Sequence, residues 1–295
     1  MTEIKKICFF NHYHNGDIVN NRAFVEEIIQ HIDVEYYYAH PNNPAIIKDL
    51  NIQNASSDIL SSLSITTKLS QIEDTLYINT WIGSSFGPEN EYTGNCSLVS
   101  IYNMFSHIYE ELNKIFGTNL KLSNPENYFP LIDYTKYNIF KVSDFVSQHQ
   151  NQKILFCNGP CLSGQCEYSG DMKSIIIELA EKNPNKIFIA THKFESNISN
   201  IKFTDDIIQS DSTDLNEIAY LSLSCDLIVG RASGPLCFCC NSENMNDPTK
   251  TFYVFGINET DCPPWNLNVN CNFIFEEYSN YEDLKSSIFD LILES

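Results

Sequence analysis

The stretch 225–240, CDLIVGRASGPLCFCC, decides how the chain is read. Leu227, Ile228 and Val229 form a short apolar run rich in β-branched residues, the pattern of a fully buried strand. Gly230, Ala232, Ser233 and Gly234 follow, and residues this small keep side-chain bulk away from anything that approaches the turn. Pro235 suits the first turn of a helix, where its missing N–H is not needed. Leu236 and the cysteines Cys237, Cys239 and Cys240 continue that helix as small apolar fillers. A strand running through a small-residue turn into a helix presents free N–H groups and the positive end of the helix dipole, which favour a phosphate. Arg231 adds a charge there, and Ser233 reads as both helix N-cap and ligand contact.

Outward from this stretch, strands and helices alternate. KILFCNGP (153–160), KIFIATHK (186–193), IKFTDDII (201–208), KTFYVFGI (250–257) and NFIFEEY (272–278) read as strands. Helices are expected at 171–184, 214–225 and 281–294. In the first half, 5–10, 34–40 and 75–83 read as strands, with helices at 18–32, at 98–116 and near 143–150 and a short helix at 44–50. Alternation of this kind implies parallel sheets covered on both faces, with ligands beyond the carboxyl ends of the strands. The segment 117–141, with its prolines, tyrosines and asparagines, is loop-rich, and the domain boundary is placed near Gln150.

Composition narrows the partners. At 295 residues the chain is long enough for two domains, and 43% hydrophobic with 19% charged residues fits a folded protein without repeats or low-complexity tracts. A formal charge of −20 with only 18 basic residues argues against nucleic acid and against anionic lipid. No apolar run reaches the roughly 20 residues of a membrane span, and the start turns polar too early for a secretory signal. A cytoplasmic protein is expected. Eleven cysteines, an odd number, fit reduced thiols. Cys157, Cys161 and Cys166 do not have paired zinc-ligand spacing, and Asp205 and Asp206, on opposite faces of a strand, would not chelate together, so no metal or other cofactor is expected.

Two α/β halves suit a reaction that joins two substrates. In the first half the candidate groups lie in the loop 11–17, where His12, His14 and Asp17 are titratable, Asn15 is polar and Gly16 lets the backbone approach a ligand. Asp17 has a plain reading as N-cap of a helix starting at Ile18. Histidines here are as readily loop hydrogen-bonding residues as bases. Trp81 and Trp265 stand beside turns, where a ring can stack on a sugar face.

HNGDIVNNRAFVEEI (14–28) and CDLIVGRASGPL (225–236) together resemble the heptosyltransferase-like glycosyltransferases of family 9. The resemblance implies a GT-B fold: two Rossmann-like α/β/α domains facing each other across a cleft, residues 1–150 binding the acceptor and 151–295 the nucleotide-sugar donor. It implies metal-independent, inverting transfer of a sugar to an acceptor hydroxyl, with a glycan or glycoconjugate as acceptor. Asp17 matches the general base, with His14 beside it. Lys193, Glu217, Arg231, Ser233, Gly234, Pro235 and Leu236 fall at the donor site, and His12, Asn15 and Trp81 at the acceptor site. Where the family commonly carries Asp-Thr-Gly-Pro-Leu-His, this chain has Ala232 and Cys237 in place of the acid and the histidine. A nucleotide-sugar epimerase stays open because it has a similar two-domain architecture, and those departures keep open a non-catalytic nucleotide-binding or interaction protein.

Overall fold

The structure is a computed structural model that describes residues 3–41, 44–81, 98–124, 128–160, 172–210, 213–231, 233–256, 268–277 and 280–294. The chain divides into two compact units, Met1–Leu131 and Ile132–Ser295.

The first unit contains β1 (Lys6–Phe10), α1 (Asn15–His31), β2 (Glu35–Ala39), β3 (Gln53–Asn54), β4 (Leu69–Ile72), β5 (Thr75–Asn79) and α2 (Leu98–Phe116). Its sheet has the order β3-β2-β1-β5-β4, parallel except that β4 runs antiparallel to β5. β1 lies in the middle, and Ile7, Cys8, Phe9 and Phe10 are all buried, as expected for a strand covered on both faces. Phe9 stacks on Tyr36, whose hydroxyl donates to carbonyls at the end of α1. Phe24 of α1 then stacks on Phe105 of α2 and on Tyr128. On the opposite face Cys8, Phe10 and Ala39 pack against Leu60 and Leu63, from and just after the 3-10 helix Ser57–Ser62.

The second unit contains α3 (Phe140–Gln148), β6 (Lys153–Cys157), α4 (Met172–Lys182), β7 (Ile187–Ala190), β8 (Ile201–Phe203), α5 (Thr204–Ile207), α6 (Leu215–Ser222), β9 (Leu227–Arg231), α7 (Gly234–Cys239), α8 (Ser242–Met245), β10 (Thr251–Gly256), β11 (Asn272–Glu277) and α9 (Tyr281–Glu294). All six strands are parallel, in the order β11-β10-β9-β6-β7-β8. The chain builds outward from β6 to β8, then returns to lay β9 on the other side of β6. This is the doubly wound Rossmann order, and it creates a topological switch point between β6 and β9. Ile175, Ile176 and Leu179 of α4 and Leu284, Ile288 and Ile292 of α9 bury one sheet face with Phe156, Phe188, Val229 and Phe255.

The structure departs from the sequence reading in three places. The division falls at residues 131 and 132 and not near Gln150, because the segment after it is fastened to the second unit: Tyr134 packs its ring 5.2 Å from Tyr220, and Ser143 Oγ lies 3.2 Å from the Tyr220 hydroxyl. The run 201–208 is a strand only to Phe203, after which Thr204–Ile207 turns into α5, so Asp205 and Asp206 lie on a helical turn. The short β3 and the β4–β5 hairpin were not expected, since two polar residues carry no period and the hairpin turns through Glu73 at φ 55 without a glycine. Trp265, Ala232, Cys161 and Cys166 lie outside the described residues. Among the described residues no helix is long and apolar enough to cross a membrane, and no three His, Cys, Asp or Glu side chains group as metal ligands.

Candidate active site

Each unit has its own switch point, and each gathers sequence-predicted residues. In the first unit it lies between β1 and β5, which end in register at Phe10 and Asn79. Both strands leave through an asparagine that caps the backbone two residues on: Asn11 Oδ1 accepts from the Tyr13 N–H at 2.8 Å and Asn79 Oδ1 from the Trp81 N–H at 3.0 Å. These turns bring the Tyr13 and Trp81 rings to a centroid separation of 4.4 Å. Beneath them Thr80 Oγ1 donates to the Phe10 carbonyl and shares a hydrogen bond with the Tyr38 hydroxyl.

α1 starts here earlier than the sequence reading placed it. Its N-cap is the exposed His14, whose side chain makes no capping bond, so Asp17 stands in the first helical turn and is not the N-cap. The half-buried Asp17 carboxyl has an Oδ2 without a hydrogen-bond partner. Burial pushes it up to about 7, against the weaker downward pull of the Asn11 side chain and of the His14 backbone. A carboxylate poised near neutrality at the carboxyl edge of a parallel sheet has the properties of a general base. Asn21 holds the turn from behind, donating to the Asp17 and Thr80 carbonyls. His12 is tied elsewhere. Its Nε2 donates to the Leu60 carbonyl at 3.0 Å, the tautomer that in a neutral ring leaves the buried Nδ1 as an acceptor. Asn15 opens α1 with an unpartnered Oδ1.

In the second unit the switch point lies between the turns after β6 and β9, where Cys157 pairs with Gly230. Arg231, the last residue of β9, is only 4% exposed. Its guanidinium donates to the backbone carbonyl of Gly159 (Nε, 3.0 Å) and to that of Asn158. It thus braces the neighbouring turn, where the sequence reading had it extend a charge toward a ligand. Asn158 ties the same turn to the end of β7, accepting from the His192 N–H at 2.8 Å. Gly230 also has a different reason from the expected one: a Cβ there would come within 2.7 Å of Cys157 Cβ, so its small size serves the strand pair.

Ser233 is the N-cap of α7, and its Oγ is buried without a partner. Gly234 and the half-buried Pro235 form the first turn of α7, while the side chain of Leu236 is wholly buried. Glu217, on α6, is 2% exposed, enclosed where α6 packs on α7. Lys193 follows β7 and is exposed, paired with Asp206 at 2.7 Å on the rim of an open groove of about 880 Å³ that also includes Glu195. Among the described residues the cysteines are buried: the neighbouring Cys239 thiol and burial hold Cys157 well above its ordinary range, and burial pushes Cys225 up to about 12.

Sequence reasoning placed Asn11 and Asn158 at the start of candidate turns without giving them a role, and it missed Tyr13 and Thr80. An available signal was the asparagine at or just after the end of β1, β5 and β6, where an apolar run stops at a residue able to bond its own turn.

No protein-family model matches the sequence, and no curated protein is similar to it in sequence. The structure is similar to E. coli heptosyltransferase WaaC solved with ADP-2-deoxy-2-fluoro heptose, at TM-score 0.53 and 8% identity over 98% of this chain and 99% of that one. It is also similar to E. coli ADP-heptose LPS heptosyltransferase II (TM-score 0.50, 10% identity, 98% and 99% covered). A glycosyl transferase family 9 protein of Veillonella parvula gives TM-score 0.50 and 12% identity, with 98% and 92% covered. The chain spans 66% of the length of the dodecameric iron-containing heptosyltransferase TibC of enterotoxigenic E. coli, at TM-score 0.49. The fold is therefore that of the GT-B heptosyltransferases.

Proposed function

We propose that the chain is a glycosyltransferase that moves a sugar from a nucleotide-sugar donor to an acceptor hydroxyl with inversion at the anomeric carbon. The observation that carries this reading is Asp17: a half-buried carboxyl with an unpartnered oxygen and a pKa near 7, at the switch point of a GT-B unit. A hydroxyl attacks only as its proton is accepted, and Asp17 accepts it. The oxygen then bonds to the anomeric carbon from the face opposite the nucleotide, and the bond to the leaving diphosphate breaks. A positioned base contributes about 10²- to 10⁴-fold.

The donor is assigned to the second unit's switch point. There the Gly234 N–H at the start of α7 and the unpartnered Ser233 Oγ are the groups offered to the diphosphate, while Pro235, which has no N–H, fixes the turn. Arg231 acts there by holding the Asn158–Gly159 turn in place, and Lys193 contributes from the rim. Leu236 shapes the turn from within the core. Ribose contact by Glu217 requires its buried carboxyl to be uncovered, which makes it the weakest of these assignments.

The test is a thermal-shift screen against nucleotide sugars, followed by an assay of nucleotide release with and without glycan acceptors. A ligand at about 100 times its Kd stabilises the native state by about 2.7 kcal/mol. Binding followed by acceptor-dependent release is expected. Turnover of the nucleotide sugar without an acceptor would point to an epimerase, and binding without turnover to a non-catalytic protein.

A further inference from the structure

Four buried side-chain atoms between residues 11 and 17, Asn11 Nδ2, His12 Nδ1, Asn15 Oδ1 and Asp17 Oδ2, make no hydrogen bond of good geometry, although the Asn11 side chain is near enough to Asp17 to pull its carboxyl down. Buried polar atoms are seldom left unpaired, and each one so left costs about 1–3 kcal/mol. Their chemistry is lopsided. In the neutral ring that donates from Nε2, His12 Nδ1 is an acceptor, Asn15 Oδ1 and the ionised Asp17 carboxylate are acceptors, and only Asn11 Nδ2 donates. An acceptor-rich cluster that includes a carboxylate is matched by O–H groups and repels phosphate.

Beside it lies an apolar platform. Tyr13 is 40% exposed and its ring sits 4.4 Å from that of Trp81, one supplied by the turn after β1 and the other by the turn after β5. The two rings are inclined by 42° and form an aromatic corner next to hydrogen-bond acceptors, which fits a pyranose with its apolar face of C–H groups and its equatorial rim of hydroxyls.

We infer that the switch point of the first unit binds a neutral, unphosphorylated sugar ring, stacked on Tyr13 and Trp81 with its hydroxyls donating to His12, Asn15 and Asp17. This rests on the reading of the first unit as the acceptor side and deepens it: the acceptor presents an uncharged pyranose at the point of attack, and Tyr13 selects it. The net charge of −20 acts in the same direction, against anionic acceptors.

The chain has two tryptophans, so full-length protein carrying Trp265→Phe leaves Trp81 as the sole tryptophan reporter. Its fluorescence is titrated with the methyl β-glycosides of glucose, galactose and N-acetylglucosamine, and with the 6-phosphate of each. A saturable change with at least one neutral glycoside is expected, together with at least about tenfold weaker binding of its 6-phosphate. Tyr13→Ala should weaken the neutral glycoside roughly three- to tenfold, and Tyr13→Phe should restore it. Circular dichroism and melting of each variant separate lost stacking from lost folding. The inference is overturned if no neutral glycoside gives a saturable change, if the 6-phosphates bind as tightly, or if a folded Tyr13→Ala binds like its parent. Nucleotide sugars are screened by thermal shift on the same preparations. Shifts there with silent glycosides sink this inference alone, whereas glycoside binding with no nucleotide-sugar shift sinks the transferase reading and leaves a sugar site standing.

Discussion

The two switch points of this molecule share a topology and differ in chemistry. Both lie where two parallel strands end side by side and their turns diverge, and both take an asparagine from the strand ends. The first is left unsatisfied: Asn11, His12, Asn15 and Asp17 each keep a buried atom without a partner, and the carboxyl is held near neutrality. The second is braced, because Arg231 and Asn158 direct their hydrogen bonds onto the adjacent turns, and Ser233 Oγ is the buried atom left without a partner at the start of α7. A doubly wound sheet supplies the place for a ligand. Whether that place is reactive or merely well formed depends on which polar groups remain unpaired.

The comparison can be broken most sharply at Asp17. Asp17→Asn should lower transfer about 10²- to 10⁴-fold while leaving nucleotide-sugar affinity intact; unchanged turnover would remove Asp17 from the chemistry. In the wild type, transfer should rise with pH up to about 7 and level off above it, since only the ionised carboxylate accepts a proton. Stability runs the other way. The unfolded pKa is about 3.9 and the folded one higher, so the folded state holds the extra proton between about pH 4 and pH 7 and loses stability as pH rises through that window. Asp17→Asn should therefore melt with the wild type at pH 4 and be more stable by about 2–4 kcal/mol at pH 8, as read by denaturant titration.

Next in size is Arg231→Met, which strips the donors from the Gly159 and Asn158 carbonyls. It should destabilise the protein by about 2–3 kcal/mol and weaken nucleotide binding through the loosened turn. Wild-type stability would show that the bracing contributes nothing. Gly230→Ala should cost about 1–3 kcal/mol, because Cys157 Cβ is fixed to the backbone and cannot rotate away. Adding Cys157→Gly should recover part of that loss, and a double variant no better than the single one would place the strain elsewhere. The smallest effect belongs to Lys193→Met. Its ion pair with Asp206 is half-exposed on both sides, so stability should change by less than about 1 kcal/mol, and a fall in nucleotide affinity would then report contact with the donor.

Much of this was legible before any coordinates. Strand ends such as Phe10 and Cys157 are marked by apolar runs that stop at asparagine, and α2 spans the residues its periodicity predicts. Positions of the candidate residues along the chain followed from those ends. Their roles followed less well. Arg231 in a small-residue turn reads as a phosphate ligand, and nothing in its neighbours shows that a carbonyl 72 residues away accepts from it. Gly230 likewise reads as clearance for a ligand, yet it clears Cys157. Tyr13 is one of 16 tyrosines, and nothing around it in the sequence marks its contact with Trp81.

The sequence by itself determined the elements and their class, because hydrophobic period, helix-starting residues and strand-ending asparagines act over a few residues. It also determined that reactive groups cluster at 11–17 and 230–236. Only the tertiary structure decided which strand lies beside which, and hence that β5 brings Trp81 to Tyr13 while β6 brings Gly159 to Arg231. Sheet order and register arise from contacts between residues far apart in the chain. Those contacts determine which polar atoms are satisfied and which are left for a substrate.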